Sequence, residues 1–118
     1  MNFIIVFIGG GIGSILRYGV SLAVSPYLPK FPWATFISNS TACIIIGILT
    51  TLSLKGNLDN SYRLFFVTGV CGGFSTFSTF SNESLALFQN GQPFMALANI
   101  LLSVVACLTC VYVGMKIV

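Results

Sequence analysis

The chain has 118 residues, of which 56% are hydrophobic and 6% charged, with a formal net charge of +3. Soluble domains carry about 25% charged residues, so the composition excludes an ordinary water-soluble domain, and the scattered Lys and Arg residues make no patch for nucleic acid. Histidine is absent, which removes a His-based metal site, a His base and a Ser-His-Asp triad; with no other acid-base or nucleophile constellation, no enzyme is expected.

A bilayer core about 30 Å thick takes roughly 20 apolar residues per helical span. The chain therefore has room for four spans with short loops, in a single transmembrane domain, 1–118. The first span is predicted over 3–24 and stops at Ser25-Pro26; it lacks the basic leader of a signal peptide and is expected to be retained. Pro26, Pro29 and Pro32 make 26–32 a loop, because proline removes a donor and restricts its predecessor.

Within the first span, Gly9 and Gly13, and likewise Gly10 and Ser14, are four residues apart, the small-xxx-small spacing that lets helices approach closely. The same glycines lack the Lys-Ser/Thr ending of a phosphate loop. Arg17 continues this stripe one turn on. An ionisable group there is costly unless paired, and a structural ion pair or interfacial snorkelling is the favoured role.

The second span is predicted over 33–54, with Trp33 at the headgroup boundary. Asn39 falls in it, as interhelical glue or as part of a polar path. Residues 55–63 form a hydrophilic loop.

The third span, 64–88, is interrupted by Gly72-Gly73 and then by seven residues that are all Phe, Ser or Thr. Glycine is a weak helix former and Ser/Thr compete for backbone groups. A broken helix is therefore expected, tolerated at membrane depth only if buried or lining a cavity. The break would release carbonyls able to bind a small cation. Phe74, Phe77 and Phe80 recur every three residues; ring edges are electropositive and attract an anion without a full charge that would trap it. Ser75, Thr76, Ser78, Thr79 and Asn39 add hydrogen-bond donors, and together these residues describe a route for a small anion. Glu83 is the only carboxylate in any span and is expected on a polar track near Asn39.

The fourth span is predicted over 94–118. Asn99, Ser103 and Cys107 step by four and continue a polar stripe, with Thr109 further on. Cys107-Leu108-Thr109-Cys110 has CxxC spacing but no second pair to complete a metal site. All four cysteines, Cys43, Cys71, Cys107 and Cys110, are expected as buried thiols. The patterns Asn39-Ser40-Thr41 and Asn82-Glu83-Ser84 fall within spans and are chance glycosylation matches.

With the N-terminus in the cytoplasm, Lys55, Arg63 and Lys116 lie inside against Lys30 and Arg17 towards the outside, almost no orientation bias. Such a chain either inserts both ways and pairs as an antiparallel dimer, or takes one orientation from features other than charge.

Three segments resemble the Fluc fluoride channel family, also called CrcB. They are Gly9-Gly10-Gly11-Ile12-Gly13-Ser14-Ile15-Leu16-Arg17-Tyr18, then Thr35-Phe36-Ile37-Ser38-Asn39, then the long Gly69 to Glu83 segment that contains Cys71-Gly72-Gly73-Phe74-Ser75-Thr76-Phe77-Ser78-Thr79-Phe80. The resemblance implies an all-α integral membrane bundle of four helices with the third broken, assembled as a dual-topology antiparallel homodimer with two fluoride pores. It places the pore phenylalanines on Phe77 and Phe80 and the pore amide on Asn39. A structural, untransported sodium ion falls on the carbonyls of Gly72 and Ser75, the motif's acid on Glu83 and the first-helix arginine on Arg17. The family usually has Thr at Ser75 and Gly at Ala34 and Ala42.

The function expected is passive, fluoride-specific export that lowers cytoplasmic fluoride, through a pathway including Asn39, Phe77, Phe80, Ser78, Thr79, Ser103 and Thr109. The expected partners are fluoride, sodium, the lipid bilayer and a second copy, and the expected place is the bacterial plasma (inner) membrane. The alternative is a small multidrug-resistance-type exporter that exchanges cations for protons, a mechanism that wants a carboxylate in the first helix.

Overall fold

The computed structural model describes residues 1–24 and 31–118. The expected loop at 26–32, and Lys30 with it, lie mostly or wholly outside the described residues. Those described are helical and strand-free. Four helical stretches are long and apolar enough to cross a membrane, in a body 48 × 29 × 21 Å, whose long axis matches the ~40–45 Å of a bilayer with its headgroups.

Helix α1 is Asn2–Val24 and α2 is Trp33–Leu54. The third crossing is composite: α3, Asn60–Arg63, runs into a π-helical stretch, Leu64–Cys71, and then a short α4, Gly72–Phe74. After a break, α5 covers Phe77–Gln89, and α6 covers Pro93–Ile117. Gly56 and Gly91 end α2 and α5 with φ of 76° and 75°, the left-handed C-terminal cap that glycine adopts without strain. Pro93 then opens α6 at a position where its missing N–H costs nothing.

Two glycine seams hold the bundle. In the first, α1 lies on the π-helical stretch and α4. A Cβ on Gly9 would meet Gly69 Cα at 3.1 Å, one on Gly13 would meet Phe74 N at 2.8 Å, and one on Gly73 would strike the Gly10 carbonyl. The expected close approach through Gly9, Gly10 and Gly13 is thus present, and its partner is the third crossing. In the second seam, α2 and α6 run parallel, with a Cβ on Gly47 meeting Gly114 Cα at 3.0 Å and Thr51 Oγ1 donating to the Met115 carbonyl. The sequence reading missed that seam, although Cys43 and Gly47, and Cys110 and Gly114, have the same small-xxx-small spacing.

The third helix is broken, but not at Gly72-Gly73. Both glycines belong to α4, and Gly72 has ordinary helical angles, φ −63° and ψ −35°. The chain leaves the helix at Ser75 (φ −90°, ψ 157°) and Thr76 (φ −156°, ψ 122°). At Gly73 the missing side chain allows close contact with α1, where hydrogen atoms replace the side chains that would hold two backbones apart.

Candidate functional site

The break is held open by two diverted hydrogen bonds. Thr76 N, which in a continuous helix would close onto the Gly72 carbonyl, donates instead to Asn39 Oδ1 at 2.8 Å. Thr79 N, which would close onto the Ser75 carbonyl, donates instead to Thr76 Oγ1 at 3.2 Å, the geometry of a threonine N-cap. Asn39 also donates from Nδ2 to the Thr76 carbonyl at 3.3 Å. Its amide therefore pairs with one residue of the break as a neighbouring strand would, satisfying backbone groups that a bilayer cannot. The carbonyls of Gly72 and Ser75 are deprived of their helical donors.

The same Thr76 hydroxyl lies 3.2 Å from Ser78 Oγ and 3.3 Å from Thr79 Oγ1. Arg17 approaches from α1, and its Nε donates to the Gly73 carbonyl at 3.2 Å. The partner expected for this arginine was a carboxylate or the headgroup region; the one found is a backbone oxygen just before the break.

Beyond the break, a cavity of about 140 Å³ is lined by Asn39, Phe77, Phe80, Ser103, Val104 and Cys107. Four of the seven residues expected along the anion route, Asn39, Phe77, Phe80 and Ser103, therefore share one wall. Ser78 and Thr79 are not in this wall; their hydroxyls adjoin Thr76 in the first turn of α5. Thr109 is exposed; six residues past Ser103 it has turned off the stripe, since only steps of three or four stay on one helix face. The Phe77 and Phe80 rings stand 5.7 Å apart between centroids. Phe74 is cut off from them by the break and lines a separate apolar pocket with Leu16, Val20 and Thr41.

A buried polar ladder leads away from this cavity. Ser103 Oγ donates to Asn99 Oδ1 at 3.2 Å, Asn99 Nδ2 donates to Ser84 Oγ at 2.9 Å, and Ser84 Oγ donates to the Phe80 carbonyl at 2.8 Å. The fourth-helix stripe pointed to Asn99 and Ser103, whereas Ser84 was not foreseen; its only signal is a four-residue step from Phe80. Glu83 lies beside Thr35, one turn before Asn39 on α2, and its Oε1 is buried without a partner among the described residues.

Two features point outward. Phe77 is 79% exposed while Phe80 is 8%, so one ring of the pair projects from the chain's own surface. A groove of about 670 Å³ is floored by small residues, among them Gly10, Gly11, Ser14, Gly72 and Gly73.

A sequence profile of the family described as CrcB-like protein, Camphor Resistance (CrcB), matches residues 4–115. Among similar proteins called fluoride-specific ion channel FluC, one from Azobacteroides pseudotrichonymphae genomovar. CFP2 is 46% identical over 112 residues, covering 93% of this chain and 90% of the relative. Another from Rhodospirillum rubrum is 42% identical over 118 residues, covering 97% and 92%. A third, from Bacteroides fragilis, is 43% identical over 121 residues, covering 96% and 95%.

Proposed function

The chain belongs to the CrcB family, and on that premise we propose that it is a fluoride-specific ion channel of the bacterial plasma membrane, which lowers cytoplasmic fluoride by passive export. The observation that carries this reading is the cavity at the helix break, where an amide and two phenylalanine rings share one largely apolar wall. Fluoride is small and strongly hydrated, so a path for it must replace water with donors that do not bind too tightly. Asn39 has two N–H donors, of which one is engaged by the Thr76 carbonyl, and the other is available to an anion. Ser103 donates inward to Asn99, so its hydroxyl must turn to greet an anion. The ring edges of Phe77 and Phe80 supply weak positive potential without a fixed charge. Conduction needs binding strong enough to admit an ion and weak enough to release it, which this mixture supplies.

The working unit in this reading is an antiparallel homodimer. Phe77 projects from its own chain, as a residue completing a path with a second copy would, and the small-residue groove offers a flat surface for that copy. The near-even Lys/Arg distribution supports insertion in both orientations; a C-terminal pair of compartment-sensitive reporters should give signal on both sides, and strictly one-sided signal would refute it. Where a two-fold axis passes the break, the Gly72 and Ser75 carbonyls of two chains would surround one sodium ion. The donor set fits: both oxygens have lost their helical donors to Asn39 and Thr76, and oxygen-only ligands suit a hard cation. When bound, the ion supplies structure at the subunit junction and is not transported.

The multidrug-exporter alternative finds no support. Helix α1 contains no carboxylate for proton exchange, and the named relatives are fluoride channels. Fluoride efflux from proteoliposomes, followed with a fluoride electrode, tests the function. Rapid, protein-dependent efflux is expected, and equal passage of chloride, or no efflux above protein-free vesicles, would overturn it.

A further inference from the structure

The parallel register of α2 and α6 gathers thiols that are far apart in sequence. Gly47 rests on Gly114; one turn earlier on each helix stand Cys43 and Cys110, with Cys107 a further three residues back. Asn39, one turn before Cys43, shares a cavity wall with Cys107, and with Gly47 on Gly114 this sets Cys43 level with the turn of α6 from Cys107 to Cys110, its side chain next to that of Cys107. Cys43 and Cys107 are only half-buried, and Cys107 is also in the wall of the cavity that holds Asn39, Phe77 and Phe80. The CxxC spacing on α6 thus finds a partner on another helix, and one thiol of the pair, Cys107, is open to the cavity.

We propose that Cys43 and Cys107 form a two-coordinate site for a thiophilic d10 cation, Cu⁺, Ag⁺ or Hg²⁺, set into the side of the cavity. Soft thiolates select such ions over the hard cations that suit carbonyl oxygen. Among the described residues no cluster of three or more His, Cys, Asp or Glu side chains is placed to hold one ion, and these are the ions that accept two sulfurs alone. With mercuric chloride, each S–H bond is replaced by an S–Hg bond; two protons and two chlorides leave, and mercury stays in the +2 state. Deprotonation accompanies binding, as for any thiolate site. An ion bridging Cys43 and Cys107 stands beside Phe80 and Ser103 and obstructs the cavity. That functional consequence rests on the channel reading, whereas the binding does not.

The test has two arms. Purified protein is given one equivalent of mercuric chloride, and the thiols still open to alkylation are counted by intact-mass spectrometry. Loss of two of the four thiols per bound mercury is expected, against one with methylmercury, which takes a single sulfur. In proteoliposomes mercuric chloride should block fluoride efflux. Cys43→Ala should leave basal efflux intact yet weaken the block on the order of a hundredfold, the scale of advantage a second linked contact confers. Cys110→Ala should behave as wild type in both arms. Protection of a single thiol by mercuric chloride, or undiminished mercury affinity in Cys43→Ala, would overturn the site. Two-thiol protection in protein that passes no fluoride would leave the site standing and remove the channel reading alone.

Discussion

Replacing Asn39 by Ala removes both bonds that the amide makes to Thr76, the 2.8 Å bond from Thr76 N and the 3.3 Å bond to its carbonyl. Two backbone groups at membrane depth then lose their partners. In water-soluble proteins each orphaned group costs about 1–3 kcal/mol, but in membranes side-chain hydrogen bonds average only about 0.6 and reach about 1.7 kcal/mol, because the unfolded chain also finds partners. The membrane figures govern here, giving a loss of roughly 1–3 kcal/mol for the pair. The relaxation available to Thr76 N is to swing back onto the Gly72 carbonyl, which would rewind the turn and mend the break. Asn39→Ala is therefore expected to destabilise the protein by that amount and to abolish fluoride efflux. Asn39→Asp keeps the acceptor for Thr76 N but not the donor, and a charge at the membrane centre costs about 2.5–3.5 kcal/mol, so it should lose more. Unfolding by added denaturing detergent, followed by circular dichroism, gives the stability difference; fluoride electrode recordings give the flux. If Asn39→Ala keeps both full stability and full flux, the amide does not hold the break and the reasoning fails.

Phe77→Ile and Phe80→Ile should each cut fluoride efflux by about tenfold or more, equivalent to about 1.4 kcal/mol of barrier, while the protein remains folded, since the loss is of ring edges rather than bulk; undiminished efflux in both would remove the aromatic role. Gly13→Ala and Gly47→Ala place a methyl against backbone atoms, Phe74 N at 2.8 Å and Met115 N at 2.9 Å, and should each cost about 1–3 kcal/mol by overpacking. Gly19→Ala, which meets nothing within 4 Å, should be neutral or stabilising by up to about 1 kcal/mol through helix propensity; equal losses at all three positions in thermal unfolding would refute the seam. Replacing sodium on both sides by a large organic cation should abolish efflux and weaken self-association, and unchanged flux after thorough sodium removal would exclude a structural ion.

The sequence was readable wherever function and packing follow local spacing. Gly9, Gly10 and Gly13 announced a seam through their four-residue step, and Asn99 and Ser103 announced a polar stripe in the same way, since both are statements about one helix face. The break falls inside the interrupted stretch, at Ser75 and Thr76, but the two glycines ahead of it are helical. Glycine in water weakens a helix through backbone entropy, whereas Gly73 sits against α1 where a Cβ would strike the Gly10 carbonyl. Of the two bonds that hold the helix open, the Thr76 cap on Thr79 N is local and agrees with the Ser/Thr signal, whereas the bond to Asn39 comes from 37 residues away in sequence, and no local propensity records a partner so distant. Ser84 and the Cys43–Cys107 approach were hidden for the same reason. Each depends on which helices become neighbours: Ser84 on the packing of α5 against α6, and the thiols on the α2–α6 register, where Gly47 meets Gly114.

The π-helical stretch at Leu64–Cys71 has a consequence for timing around the helix axis. A π turn contains more residues than an α turn because its bonds reach five residues rather than four. Each residue there advances the helix by a smaller angle, and everything downstream arrives late in phase. That lag is what Gly69 and Gly73 carry when they present themselves to Gly9 and Gly10, and what aims Thr76 at Asn39. Were the eight residues wound as an ordinary α-helix, the same sequence would turn Thr76 away from α2. The direction in which the third crossing opens is thus dialled by a wider coil upstream of the opening, and the glycine contacts on α1 lock the dial.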